Sequence, residues 1–269
     1  MANEAESASH TNRWGDTANS APDSESCRDV CTCFDQGRVS NRRRVRFHSE
    51  RQDTSSPAWQ YLLALIEEAA ADGREVFRPL AEMSPRERRQ IVTLPPSIAK
   101  LTAVKQFILY GSNLVRTPPE IGAMSSLQEF TPYTSYRLHW FPYELTRCPS
   151  LKRSTVSTRA LYGNEKLRPP FPLLQPGGVE TADLSLDDVD PGEWGTTALR
   201  RCSVCDRLLE GAEIHQAWIS LRVAADVLPL LVNACSAACL QVLPKPPEDY
   251  VQTPHTGGPG LAQPTADYA

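Results

Sequence analysis

No apolar run in this sequence reaches the roughly 18 residues that a membrane-spanning helix needs. The first twelve residues are polar, without the apolar core of a secretory leader, so a cytoplasmic protein with no membrane partner is the expectation. No charge sign dominates either. A net charge of −4 over 269 residues selects neither nucleic acid nor lipid as a partner through bulk electrostatics. Also missing are H-E-x-x-H, a glycine-rich phosphate loop and a nucleophile elbow. These absences argue against the enzyme classes that depend on such devices, and the chain is read as non-enzymatic.

What is present begins with composition. A hydrophobic content of 41% suffices for a modest core and one or two domains. Residues 1–54 are rich in Ser, Asn, Asp, Glu and Arg and carry too little apolar surface to offset the entropy of ordering them, so a disordered N-terminal tail is expected. Within it lie Cys27, Cys31 and Cys33, either a metal-binding trio completed by His48 or exposed thiols, and a basic island of Arg38, Arg42, Arg43, Arg44, Arg46 and Arg51. No known nucleic-acid motif accompanies that island.

Residues 55–93 read as a helical cap. Pro57 suits a first helical position, the apolar stripe Trp59, Leu62, Leu63, Leu65 and Ile66 follows, and Gly73 marks a stop. Ser84-Pro85-Arg86-Glu87 is a capping box. Covering one end of whatever follows and docking elsewhere both remain open to these helices.

Residues 94–175 carry a recurring phrase. Leu94-Pro95-Pro96-Ser97-Ile98 returns as Thr117-Pro118-Pro119-Glu120-Ile121 after 23 residues, and as Phe141-Pro142-Tyr143-Glu144-Leu145 after 24 more. Between the phrases, Leu101, Met124 and Cys148 occupy one slot, and Val104, Leu127 and Leu151 the next. Cys148 therefore reads as a small hydrophobe rather than a nucleophile. The run Val104-x-x-Phe107-x-Leu109-x-x-Ser112-x-Leu114 fits the pattern L-x-x-L-x-L-x-x-N-x-L, and in it the chain resembles a leucine-rich repeat protein. The later units depart from the pattern. Pro132 cannot donate to a strand ladder, and Ser154 puts a hydroxyl at a core position.

The resemblance implies an α/β (α+β) fold: a short, irregular leucine-rich-repeat solenoid with an N-terminal helical cap and a small zinc-binding module. In such repeats alternate strand residues point outward. Here these are Gln106, Ile108 and Tyr110, then Glu129, Thr131 and Tyr133, then Arg153, Thr155 and Ser157. Tyr110 and Tyr133 share a slot one repeat apart, either as a binding pair or as packing along the ribbon.

A linker rich in Pro, Gly and acidic residues is expected over 176–199, and a disordered tail over 246–269. Between them, 200–245 holds Cys202-Ser203-Val204-Cys205 and, after 29 intervening residues, Cys235-Ser236-Ala237-Ala238-Cys239. Two close pairs can bring four thiolates to one tetrahedral point. The β-rich stretch between them suits a hairpin, and Cys235 lies where a helix can begin. The combination resembles treble-clef zinc modules, with Ala234-Cys235-Ser236-x-x-Cys239 similar to their TRASH-type members. Cys202, Cys205, Cys235 and Cys239 are thus expected to hold a structural Zn2+, with reduced thiols or a redox pair as the alternative. The whole resembles bacterial leucine-rich repeat proteins with a C-terminal zinc module, which implies a protein–protein interaction scaffold. A nucleic-acid-associated regulator, using the zinc module and the arginine island, is the other reading.

Overall fold

The computed structural model describes residues 48, 50–163, 168–174, 201–209 and 214–264. Helix α1 (Pro57–Asp72) starts where Ser56 Oγ accepts from the Trp59 N–H at 3.3 Å and ends at Gly73, whose φ of 66° is left-handed. Gly tolerates that conformation without a Cβ penalty. Its buried face is Ala58, Trp59, Leu62, Leu65, Ile66 and Ala69, the three-and-four spacing of one helical stripe. After the two-residue strand β1 (Val76–Phe77) and the short helix α2 (Pro79–Glu82), α3 (Pro85–Gln90) carries the expected reciprocal cap between Ser84 and Glu87.

The recurring phrases become single 3₁₀ turns, Pro96–Lys100, Pro119–Ala123 and Tyr143–Arg147. In the first two a proline opens the turn, where its missing N–H leaves nothing unsatisfied. Between the turns lie β2 (Gln106–Ile108), β3 (Glu129–Thr131), β4 (Phe141–Pro142) and β5 (Arg153–Ser154). A parallel sheet of order β1-β2-β3-β5 forms from four of the strands. Gln106 pairs with Glu129 and Glu129 with Arg153, so the sheet register carries the 23- and 24-residue period of the sequence. Phe77, Phe107 and Phe130 stack behind the sheet at ring separations of 5.8 and 6.1 Å. The next slot in that column is Ser154. Close stacking of the turns also accounts for Gly122, where an added Cβ would meet the Glu144 carbonyl oxygen at 2.5 Å.

Pro132 falls just outside β3. Its carbonyl accepts from the Ser135 N–H, and pairing resumes at Tyr133, whose carbonyl accepts from Gly111 N–H at 2.9 Å. The expected distortion is thus a turn after the strand rather than a break inside it.

The second sheet, in which β4 is followed by β7 (Asp226–Ala234) and then β6 (His215–Val223), contains the expected hairpin. Strands β6 and β7 pair antiparallel around Ala224 and Ala225, with Ala224 left-handed at φ 54°. Strand β4 pairs in parallel with Leu230 and Leu231 of β7. The hairpin packs onto the earlier part of the chain: Ile219, Leu221, Leu228, Leu230 and Val232 share one apolar core with Leu94, Phe107, Phe130 and α1. The described residues form a mixed α/β fold with few helices, one parallel sheet and one mixed sheet. Among the described residues no helix is long and apolar enough to cross a membrane.

Two expected tails are corrected. Residues after Pro246, as far as 264, pack: Trp218 and His255 exchange backbone hydrogen bonds at 2.8 and 3.1 Å, Leu174 N–H donates to Thr256 O, and Gly258 N–H to Phe171 O. These contacts lie over a second aromatic cluster of Trp140, Tyr162, Phe171 and Trp218, apolar surface that composition alone does not assign to the tail. At the other end, His48 and residues 50–54 belong to the fold, with Gln52 buried. Cys27, Cys31 and Cys33, the arginine island except Arg51, and the 176–199 linker lie outside the described residues.

Candidate metal centre

Two pieces of chain shape the thiol cluster. The first is a tight turn over residues 201–209, closed by bridge pairing of Arg201 with Leu208, by Cys202 N–H to Arg207 O at 2.7 Å, and by Asp206 N–H to Cys202 O at 2.9 Å. Asp206 takes a left-handed φ of 62° to complete it. The second is the end of β7 running into α4 (Ala237–Gln241), where Ser236 Oγ caps the helix by accepting from Cys239 N–H at 3.3 Å. Ser203 ties the two together, its N–H donating to Asn233 O and its Oγ accepting from Asn233 N–H.

The result places the Sγ atoms of Cys202, Cys205, Cys235 and Cys239 within 4.8 Å of one another. Cys205 and Cys235 are 3.5 Å apart, and Cys235 and Cys239 3.6 Å. A tetrahedral ion with sulfurs at about 2.3 Å separates them by about 3.8 Å, so the four sulfurs, spread over 4.8 Å at most, could draw in around one soft cation. Cys202 is fully buried and accepts backbone N–H bonds from Cys205 at 3.5 Å and Cys235 at 3.4 Å. Burial alone would push its thiol up, but those N–H groups outweigh burial and bring it down to about 6. Cys235 moves the other way, to about 12, because the thiols of Cys205 and Cys239 crowd it. The cluster holds a first thiolate readily and resists further negative charge, the situation a bound cation relieves.

Residues beyond the cysteines hold this turn against the repeats. Arg147, from the third 3₁₀ turn, donates to the carbonyls of Cys202 at 3.0 Å and Ser203 at 2.8 Å and pairs with Asp206 at 2.9 Å. Beside it, Glu144 is buried, hydrogen-bonded to Ser203, and pushed up to about 7 mainly by desolvation. At the hairpin tip, Ser154 Oγ shares its single hydrogen between Asp226 Oδ2 at 2.7 Å and Val223 O at 3.2 Å. The polar residue in the phenylalanine column is therefore the docking point of the hairpin. None of these partners is marked by spacing; only Ser154, as a hydroxyl in a core slot, gave a signal.

The other sequence-derived candidates lie on the parallel sheet. Tyr110, Tyr133, Arg153 and Thr155 are exposed, and Gln106, Ile108, Glu129 and Thr131 half-buried. Tyr110 and Tyr133 are neighbours, with ring centroids 5.8 Å apart and a 44° tilt. Arg153 pairs with Glu129 at 2.8 Å. Ser157, expected to point outward, is instead buried and accepts from Thr134 N–H at 2.9 Å. A related pair, Ser112 and Ser135, shares a 2.6 Å hydroxyl contact across one repeat. Cys148 is buried, as its slot requires, and desolvation pushes its thiol up to about 11. Searched against protein-family models and against curated proteins, the chain matches none.

Proposed function

We propose that the protein is a non-enzymatic interaction scaffold of the leucine-rich repeat kind, presenting its parallel sheet to another protein, with a structural zinc ion at the four cysteines. The observation that carries this reading is the tyrosine pair. A register that repeats the sequence period sets Tyr110 and Tyr133 side by side at 37% and 44% exposure, with Tyr110 two residues on from the half-buried Ile108. Tyrosines offer large contact area with few rotors to freeze. Zinc is the ion that four thiolates in a closed tetrahedron favour.

Affinity capture with the full chain tests the reading. The Tyr110→Ala/Tyr133→Ala variant should lose a protein that the wild type retains, while its melting temperature and metal content stay unchanged. Equal capture by both forms would refute the assignment of the face. Loss of capture together with a large drop in stability would mean that the rings are packing instead. Elemental analysis expected to find one zinc per chain checks the metal independently.

A further inference from the structure

One buried column of the repeats takes no part in either site. Thr93, Arg116, His139 and Tyr162 recur at intervals of 23 and are all buried. His48, Glu50 and Gln52 lie against three of them. Gln52 Oε1 accepts from the N–H groups of Val92 and Thr93 at 2.9 and 3.4 Å, and its Nε2 donates to Gln90 O at 3.0 Å. Arg116, 2% exposed, donates to the carbonyls of Glu50 at 2.8 Å and His48 at 2.7 Å. Arg137, 4% exposed, pairs with the Glu50 carboxylate, and the His48 ring stacks on His139 at 5.2 Å with an 18° interplanar angle.

The contacts are made by every second residue, the alternation that an extended peptide presents, with an advance of about 6.6 Å per two residues. Residues 48, 50 and 52 accordingly meet His139, Arg137 with Arg116, and the first repeat in turn, while Arg51 is exposed. Arginine on main-chain carbonyls recognises an extended backbone of any sequence. The buried Arg137 selects a carboxylate, since a buried guanidinium needs an anionic partner.

We propose that this side of the repeats is a peptide-binding groove for an extended segment with a ring, a carboxylate and an amide at alternate positions, and that residues 48–52 are its intramolecular occupant. The groove is independent of the tyrosine face. Its ligand class is an extended peptide with a carboxylate at the central position, which would compete with the chain's own segment.

The test uses the full chain with residues 48–52 replaced by Gly-Ser-Gly-Ser-Gly, probed with a fluorescent synthetic peptide of residues 45–54. The replaced protein should melt lower by on the order of 5–10 °C, bind the peptide saturably and regain stability with it. Wild type, its groove filled, should not bind, and a peptide carrying Glu50→Lys should bind about tenfold more weakly or worse. An unchanged melting temperature, absent binding, or equal binding of the Glu50→Lys peptide would each overturn the proposal. Should the replaced chain not fold, Glu50→Gln in the full chain serves instead. Tryptic cleavage after Arg51 should then rise at least severalfold over wild type, and unchanged cleavage would overturn the proposal.

Discussion

Glu144 offers a quantitative test of how the thiol-bearing turn sits on the repeats. It lies in the Tyr143–Arg147 turn, buried, and among the described residues its Oε2 has no hydrogen-bond partner. Desolvation raises its pKa to about 7, with the Ser203 hydrogen bond and Arg147 opposing and Glu120 reinforcing. A carboxyl raised in the folded state favours folding in its neutral form. That stability is complete below the ordinary glutamate range and is lost as pH rises through the folded pKa. Each pKa unit is worth about 1.4 kcal/mol, so the wild type should lose roughly 2–3 kcal/mol between pH 5 and 8 from this group alone. Glu144→Gln keeps a neutral side chain of the same shape and cannot ionise. Urea unfolding of both proteins at pH 5, 6, 7 and 8, saturated with metal, gives the difference in stability directly, because titrations common to both cancel. Glutamine should gain on glutamate steadily as pH rises and be the more stable form at pH 8. A difference independent of pH would show that Glu144 is solvated or fully compensated in the fold, and would refute the reasoning.

Two other perturbations follow from the same packing. Chelation should lower stability by about 4 kcal/mol relative to a thousandfold excess of free ion over its Kd, and in one cooperative transition, since hairpin and repeats share a core; calorimetry showing two separate transitions would contradict that single core. His255 is pushed down to about 4 by burial. Its folded form stays neutral where the unfolded chain takes up a proton, so stability present above the ordinary histidine pKa is lost as pH falls from about 6.5 toward 4; thermal melts of His255→Phe should show a shallower decline over that window than wild type.

What the sequence made legible was whatever repeats or caps locally. The Ser56 and Ser84 caps, the Gly73 stop and the core slots of Val104, Phe107 and Leu109 all follow from residue type at fixed spacing, and the structure places them so. The cysteine pairs were legible for a related reason, because four thiols at knuckle spacing have few other geometries open to them. Illegible were contacts between distant segments: Arg147 on the Cys202 carbonyl, 55 residues apart, or Arg116 on Glu50, 66 apart. Nothing in local propensity encodes such a partner. The compositional rule for disorder failed at residues 48–54 and 246–264 for the same reason. It counts the apolar surface a segment brings and ignores the polar and aromatic surface already waiting for it.

The departures from the repeat pattern were nonetheless informative once their positions are compared with the docking points. In the phenylalanine column Ser154 breaks the apolar run, and there the hairpin tip attaches. A phenylalanine at 154 would continue the stack but would leave Asp226 without its 2.7 Å donor and crowd the Val223 carbonyl. In the column of Thr93, the large polar residues Arg116 and His139 appear where the 48–52 segment crosses. At the phrase itself, the glutamate at 144 faces Ser203. Each of these polar residues thus sits where another part of the chain docks, because a hydroxyl, guanidinium or carboxyl fixes the register of a docked segment in a way that a methyl surface cannot. The irregularity of the repeats is therefore the means by which a short stack of turns specifies which segments close its side and its end.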